Sequence, residues 1–248
     1  MKYPLRSNWN RSSTAADASD GSSFASESTS SEAGLSVSFQ STPAGKVEQL
    51  EAVNNPEDPS AGTRTIPFSG TLYIEQDDFR EVPPPKYYRL YPGNQVRLRY
   101  AYIITCTGVT KDPSTGVVTE IRCTYDPSTR GGNAPDNRKV KSTIHWVSAG
   151  HAVTAEVRLY DHLFTADKPM DVPAGVDWKD TLNPGSLEVL PDAKLEPSLA
   201  SAAAGDRFQF ERTGYFIADR DSRPGRPVFN RSVGLKDTWA RIEKKQAE

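Results

Sequence analysis

Residues Cys123 to Phe164 read CTYDPSTRGGNAPDNRKVKSTIHWVSAGHAVTAEVRLYDHLF, and this stretch decides the fold class. In Ile144-His145-Trp146-Val147, and again in Ala155-Glu156-Val157-Arg158-Leu159-Tyr160, apolar and polar side chains roughly alternate. A period of two puts one face of an extended chain on a core and the other in water, and neither run is long enough for a useful helix. Pro127, Gly131-Gly132-Asn133 and Pro135-Asp136-Asn137 supply turns between and beside the runs. The order strand, loop, strand, corner, strand predicts a β-rich domain.

Working outward, the same grammar recurs. Thr71-Leu72-Tyr73-Ile74 is a short strand candidate, and Pro83-Pro84-Pro85 after it forbids a central strand there. Gln95 to Tyr102 alternates, with Val96, Leu98, Tyr100 and Tyr102 on one face and Arg97 and Arg99 pointing together from the other. Asp112-Pro113-Ser114-Thr115-Gly116 then reverses the chain into Val117 to Thr124, a hairpin that brings Cys106 near Cys123. The segment from Asp167 to Gly205 is less regular, with a single strand candidate at Ser186 to Leu190. Phe208 to Arg212, Tyr215 to Ala218 and Pro227 to Arg231 supply closing strands, and Lys236 to Glu248 reads as one or two helical turns. Short strands at close spacing point to barrels.

Composition bounds the rest. The chain has 248 residues, 36% of them hydrophobic, and 30 basic against 32 acidic side chains. Residues 1–61 hold four of the basic and eight of the acidic ones, leaving a slightly basic remainder. Thirteen serines fall within the first 41 positions, where only Tyr3, Trp9, Phe24 and Phe39 are aromatic. Such a segment buries too little to offset about 1–2 kcal/mol per residue of backbone ordering, so residues 1–43 are expected to be disordered. The prolines and Asn54-Asn55 in residues 44–64 suggest an extended connector, which places the globular part at 65–248.

The two cysteines make no CxxC, and no histidine pair has metal-ligand spacing, so no metal site or disulfide framework is expected. The chain has no run of about 18 apolar residues and no apolar secretory segment, so a cytoplasmic protein without membrane contact is expected. His145, His151 and His162 lack a nucleophile or carboxylate partner in sequence and are read as structural, with no catalytic residue. Gly131-Gly132 has no following helix and is not a phosphate-cradling loop.

Several blocks carry more than periodicity. KVEQLEAVNNPEDPSAGTR, PFSGTLYIEQDDF, CTYDPSTRGGNAPDNRKVK, IHWVSAGHAV, EVRLYDHLF, RFQFERTGYF and PVFNRSVGLKDTW strongly resemble the C-terminal anticodon-binding region of bacterial glutaminyl-tRNA synthetases, from about Gly45 to Lys245. The related glutamyl enzymes share the architecture. This resemblance implies two β-barrels of the type seen in a ribosomal 5S-RNA-binding protein, with the chain passing to a distal barrel and returning. It also implies a role in translation, with glutamine tRNA as partner. By position, Arg89 in KYYRL matches the arginine that binds the third anticodon base and Arg97 in QVRLR the one that binds the first. Gln209 and Arg212 in FQFER match the pair that reads the central uridine. A guanidinium fork or a Gln amide suits the pairing edge of an unstacked base. Strict alternation puts Gln209 and Arg212 on opposite faces, so an irregularity is predicted at Glu211 to Gly214. Arg99, Arg138, Lys139 and Lys141 stand as further contacts to the RNA backbone, against a solvated strand face or loop edge.

The family's catalytic motifs, His-Ile-Gly-His-like and Lys-Met-Ser-Lys-like, do not occur here, nor does the helical segment that adds another arginine to the central base. The chain is therefore expected to need no cofactor, with ATP and magnesium bound by a catalytic domain acting separately, and to be a monomer inactive by itself. A truncated relic, a protein-interaction domain on the same fold and a non-specific binder of structured RNA remain as alternatives.

Overall fold

The computed structural model describes residues 35–39, 46–173 and 175–235, together with the backbone of residues 5–6 and 9–10. The strands are β1 (Leu5–Arg6), β2 (Trp9–Asn10), β3 (Leu35–Phe39), β4 (Glu48–Val53), β5 (Thr63–Phe68), β6 (Thr71–Ile74), β7 (Gln95–Leu98) and β8 (Ile103–Lys111). They continue with β9 (Val118–Asp126), β10 (Thr143–Ile144), β11 (Val147–Ser148), β12 (Val153–Tyr160), β13 (Leu187–Leu195), β14 (Arg207–Phe210), β15 (Gly214–Ala218) and β16 (Val228–Gly234). Helical structure among the described residues is limited to 3-10 turns of three to five residues.

One sheet has the order β10-β7-β8-β9-β3-β6-β11. Its two edge strands, β10 and β11, are separated in the chain only by His145 and Trp146, so the sheet must curl until its edges meet. This curl makes the first barrel and brings its two edges within a two-residue link of each other. Val37, Leu72, Val96, Leu98, Ile104 and Ile121 fill it, with Cys106 directly opposite Cys123 across β8 and β9. The hairpin β4-β5 packs onto the same core through Leu50, Ala52, Ile66 and Phe68. Phe68 meets Tyr102, Tyr125 and Trp146 edge-on, with ring centroids 5.1–5.6 Å apart. The second sheet, β1-β14-β15-β16-β12-β13-β2, encloses its own core of Ala155, Val157, Leu159, Leu195, Phe208, Phe210, Phe216 and Phe229.

Several expectations change. Leu35–Phe39 falls inside the serine-rich segment, yet it is a strand between β6 and β9. Its alternation buries Leu35, Val37 and Phe39, enough apolar surface to hold it. The remainder of residues 1–43, apart from β1 and β2, and the segment 236–248 lie outside the described residues.

The connector at 44–64 is instead mostly hairpin. β4 pairs with β5 in register, and Asn54-Asn55, Pro56, Pro59 and Gly62 form the loop between them.

The run from Gln95 to Tyr102 is one strand, β7, and a turn that leads into β8. Tyr100 has φ +61° and the Ala101 N–H bonds the Leu98 carbonyl at 3.0 Å, so Arg99 lies in the turn rather than beside Arg97 on the strand.

In Ile144 to Val147 all four side chains are buried, because the chain crosses from the β7 edge to the β6 edge and is covered on both sides. The last strand candidate of the irregular segment is longer than expected, since β13 runs on to Leu195. The register shift between Ala155 and Val157 accommodates Pro191 at a bulge, where it owes the ladder no hydrogen bond. From β3 to β11 the chain builds the first sheet together with the β4-β5 hairpin, and from β12 to β16 the second, whose two edges are β1 and β2.

Candidate nucleic-acid interface

The site forms where the two barrels touch. After β6 the chain makes a 3-10 turn over Gln76–Asp78, and Phe79 pairs with Leu90 as an isolated bridge. The Leu90 N–H donates to the Asp78 carbonyl at 2.9 Å. This alignment puts Arg89 beside Asp78, Nε to Oδ1 3.5 Å, while Arg89 Nη1 donates to the Asp77 carbonyl at 3.1 Å. Tyr87 donates its hydroxyl to the same carbonyl at 3.0 Å.

From the second barrel comes Arg212. β14 ends at Phe210, the Thr213 N–H closes onto the Phe210 carbonyl at 3.1 Å, and Arg212 takes φ +65°, a conformation uncommon for a side chain of its size. The irregularity predicted at Glu211 to Gly214 is this turn. It releases Arg212 from strand alternation and sends its Nη1 to both Asp78 oxygens, at 2.8 and 2.9 Å. Asp78 is 0% exposed. Gln209 stays on β14, partly buried and paired with Tyr215 of β15.

Asp78 has a carboxylate neighbour in Glu75, whose Oε1 is buried without a hydrogen-bond partner. Burial and the adjacent Asp78 charge push the Glu75 carboxyl up to about 8, so at neutral pH it is mostly protonated. Burial also pushes Asp78 upward, against the pull of Arg212 and Arg89.

Arg97 rests on another support. Beside the buried Val96 and Leu98 it points outward from β7, and its Nε donates to the Gly132 carbonyl. Gly132 has φ +91°, and a Cβ there would sit 2.7 Å from Arg97 Cδ. Gly132 is thus a close-fitting buttress for the arginine stem, a role its sequence did not announce. Arg99, in its turn, bonds Glu211 at 3.2 Å and lies over the Tyr100 ring at 5.0 Å, while its carbonyl accepts from Trp146 Nε1.

Arg138 is tied to Asp126 and Asp136 and closes its own loop. Lys139 and Lys141 instead line a cleft of about 570 Å³ with Tyr87, Tyr88, Tyr91, Asn94 and Gln95. Lys141 Nζ lies 4.6 Å from the Tyr88 ring centre, and Tyr88 is 49% exposed. Asn94 Nδ2 donates to the Arg89 carbonyl at 2.8 Å and the Arg97 N–H to the Ser142 carbonyl at 2.9 Å, so the cleft borders both arginines. Aromatic rings with cations at a groove suit stacked bases and phosphates.

His145 and His151 have side-chain partners that the sequence did not suggest. His145 Nε2 lies 3.2 Å from Glu196, and His151 Nδ1 lies 2.9 Å from Ser148 Oγ. Ser148 is 2% exposed while His151 is exposed, so the serine oxygen itself is covered. Among the described residues no group of three or more His, Cys, Asp or Glu could hold a metal ion, and no helix is long and apolar enough to cross a membrane.

Two family models, both described as tRNA synthetases class I (E and Q), anti-codon binding domain, match residues 33–126 and 143–219. The first match spans β3 to β9 and the second β10 to β15. The chain is 57% identical over 208 residues to the glutamine–tRNA ligase of Nitrobacter winogradskyi, 84% of this chain and 36% of the relative. It is 56% identical over 207 residues to that of Bradyrhizobium diazoefficiens, with the same coverage, and 53% identical over 211 residues to that of Rhodopirellula baltica, 85% of this chain and 35% of the relative. The chain therefore spans about a third of the length of these relatives.

Proposed function

This chain belongs to the anticodon-binding family of class I (E and Q) tRNA synthetases, and from that membership we propose that it is a module that reads the anticodon loop of glutamine tRNA. The observation that carries the reading is the convergence of Arg89 and Arg212, one from each barrel, on the buried Asp78. Guanidinium groups fixed this way are preorganised to hydrogen-bond the edges of splayed bases, each good bidentate contact contributing about 1–3 kcal/mol of discrimination. In this reading Arg89 takes the third anticodon base, Arg97 the first, and Gln209 with Arg212 the central uridine. Tyr88 supplies a stacking surface, while Lys139 and Lys141 meet phosphate.

The ATP-dependent activation of glutamine and its transfer belong to another domain, with its own magnesium site, so this chain works as a cytoplasmic monomer that selects tRNA and catalyses nothing alone. Hydroxyl-radical footprinting of full-length glutamine tRNA tests the assignment. Protection confined to the anticodon loop and the adjoining stem is expected; protection spread evenly along the tRNA would sink the reading.

A further inference from the structure

We infer that Asp78 is a positioning residue that couples recognition of the third anticodon base to recognition of the central one, an inference that rests on the reading above. The two arginines assigned to these bases come from different barrels and are 123 positions apart in sequence, yet share one carboxylate. Asp78 is fully buried, Arg212 reaches both its oxygens, and Arg89 approaches the oxygen that Arg212 holds at 2.8 Å. A buried charge stripped of its partner is costly, so neither guanidinium moves without changing the compensation left to the other. Asp78 is itself held by the Gln76–Asp78 turn and by the Leu90 N–H on its carbonyl, so it acts as a fixed pivot. A third base that draws Arg89 into line thereby fixes the anchor of Arg212, and the central base then meets an ordered fork. Linkage makes the effect reciprocal.

The test is a base-substitution cycle on a stem-loop RNA bearing the glutamine anticodon. Four loops are used, with the native bases, the central base replaced, the third base replaced, and both replaced. They are titrated against the full chain, Asp78→Asn and Arg89→Gln. With the unsubstituted chain, the loss on replacing both bases should fall short of the product of the two single losses by fivefold or more. In Asp78→Asn the losses should multiply independently. In Arg89→Gln discrimination at the central base should also fall at least fivefold, although Arg89 does not contact that base. A merely structural Asp78 would weaken all four loops by a common factor and leave the cycle unchanged.

Independent losses in the unsubstituted chain overturn the coupling and leave the anticodon reading standing. No preference among the four loops overturns that reading and the coupling with it. Should Asp78→Asn fail to fold, the unsubstituted cycle and Arg89→Gln decide the matter.

Discussion

Arg64 and Glu196 form a two-pronged ion pair across the junction of the barrels, Nε to Oε2 at 2.6 Å and Nη2 to Oε1 at 3.0 Å. Arg64 stands on β5, Glu196 follows β13, and His145 Nε2 completes the group from the crossing between β10 and β11. Glu196 is 3% exposed. Burial alone would raise its pKa, but the bonds from His145 and Arg64 outweigh it and hold the carboxyl below the usual range.

Glu196→Gln should therefore destabilise the protein by about 3–5 kcal/mol, because it leaves Arg64 buried without its counter-charge. Urea unfolding at pH 7 measures this. The sign with pH follows from the lowered pKa: the contribution is complete above the ordinary glutamate value and is lost as pH falls through the lower folded value. A variant as stable as the parent would show that the pair does not hold the barrels.

Gly132→Ala should cost first-base discrimination without unfolding the chain. The new Cβ would collide with Arg97 Cδ, at a φ of +91° that alanine tolerates poorly. We expect the preference for the native first base to fall about tenfold, approaching the loss in Arg97→Ala, roughly 1–3 kcal/mol. Unchanged discrimination in Gly132→Ala would mean that the glycine does not set the arginine.

Tyr88→Ala should weaken all loops alike, by about 1–3 kcal/mol, since stacking is indifferent to base identity. Lys141→Ala should instead flatten the dependence of affinity on salt, by somewhat less than one unit of log K against log salt for each phosphate that the chain no longer neutralises. Titrations at several salt concentrations separate the two. A base-selective effect of Tyr88→Ala would contradict its assignment as a stacking platform.

Glu75 should make stability fall as pH rises. Its folded pKa, about 8, lies above the ordinary value of 4.5, so its contribution is complete below about pH 4.5 and is lost progressively between there and pH 8. The slope cannot exceed about 1.4 kcal/mol per pH unit. Glu75→Gln removes the titration, so the variant should gain on the parent between pH 5 and pH 8 in urea midpoint. Parallel curves would contradict a protonated Glu75.

The strands were legible wherever one face is wet. β12 buries Ala155, Val157 and Leu159 in alternation, and the Asp112 carboxylate caps its predicted turn by accepting from the N–H groups of Ser114 and Thr115. Alternation failed at Arg99 and Tyr100, because the residues beyond the turn, Ala101 and Tyr102, are buried as well and the apolar pattern runs on through the reversal. It failed again at Asn54 to Gly62, where prolines and glycine mark a hairpin loop as readily as a linker. The arginines were named through resemblance, but their anchor was not. Nothing local in Gln76-Asp77-Asp78 announces a partner 134 residues away, whereas the turn that frees Arg212 could be inferred because two residues on opposite faces had to serve one base.

The central claim is that these barrels read the anticodon by themselves. Its most direct test is titration of the chain against a stem-loop with the glutamine anticodon and against the same loop with the central uridine replaced, each at two salt concentrations. The account predicts a preference of at least tenfold, about 1.4 kcal/mol, that persists at the higher salt while both affinities fall. Equal affinity for the two loops at both salt concentrations would contradict it.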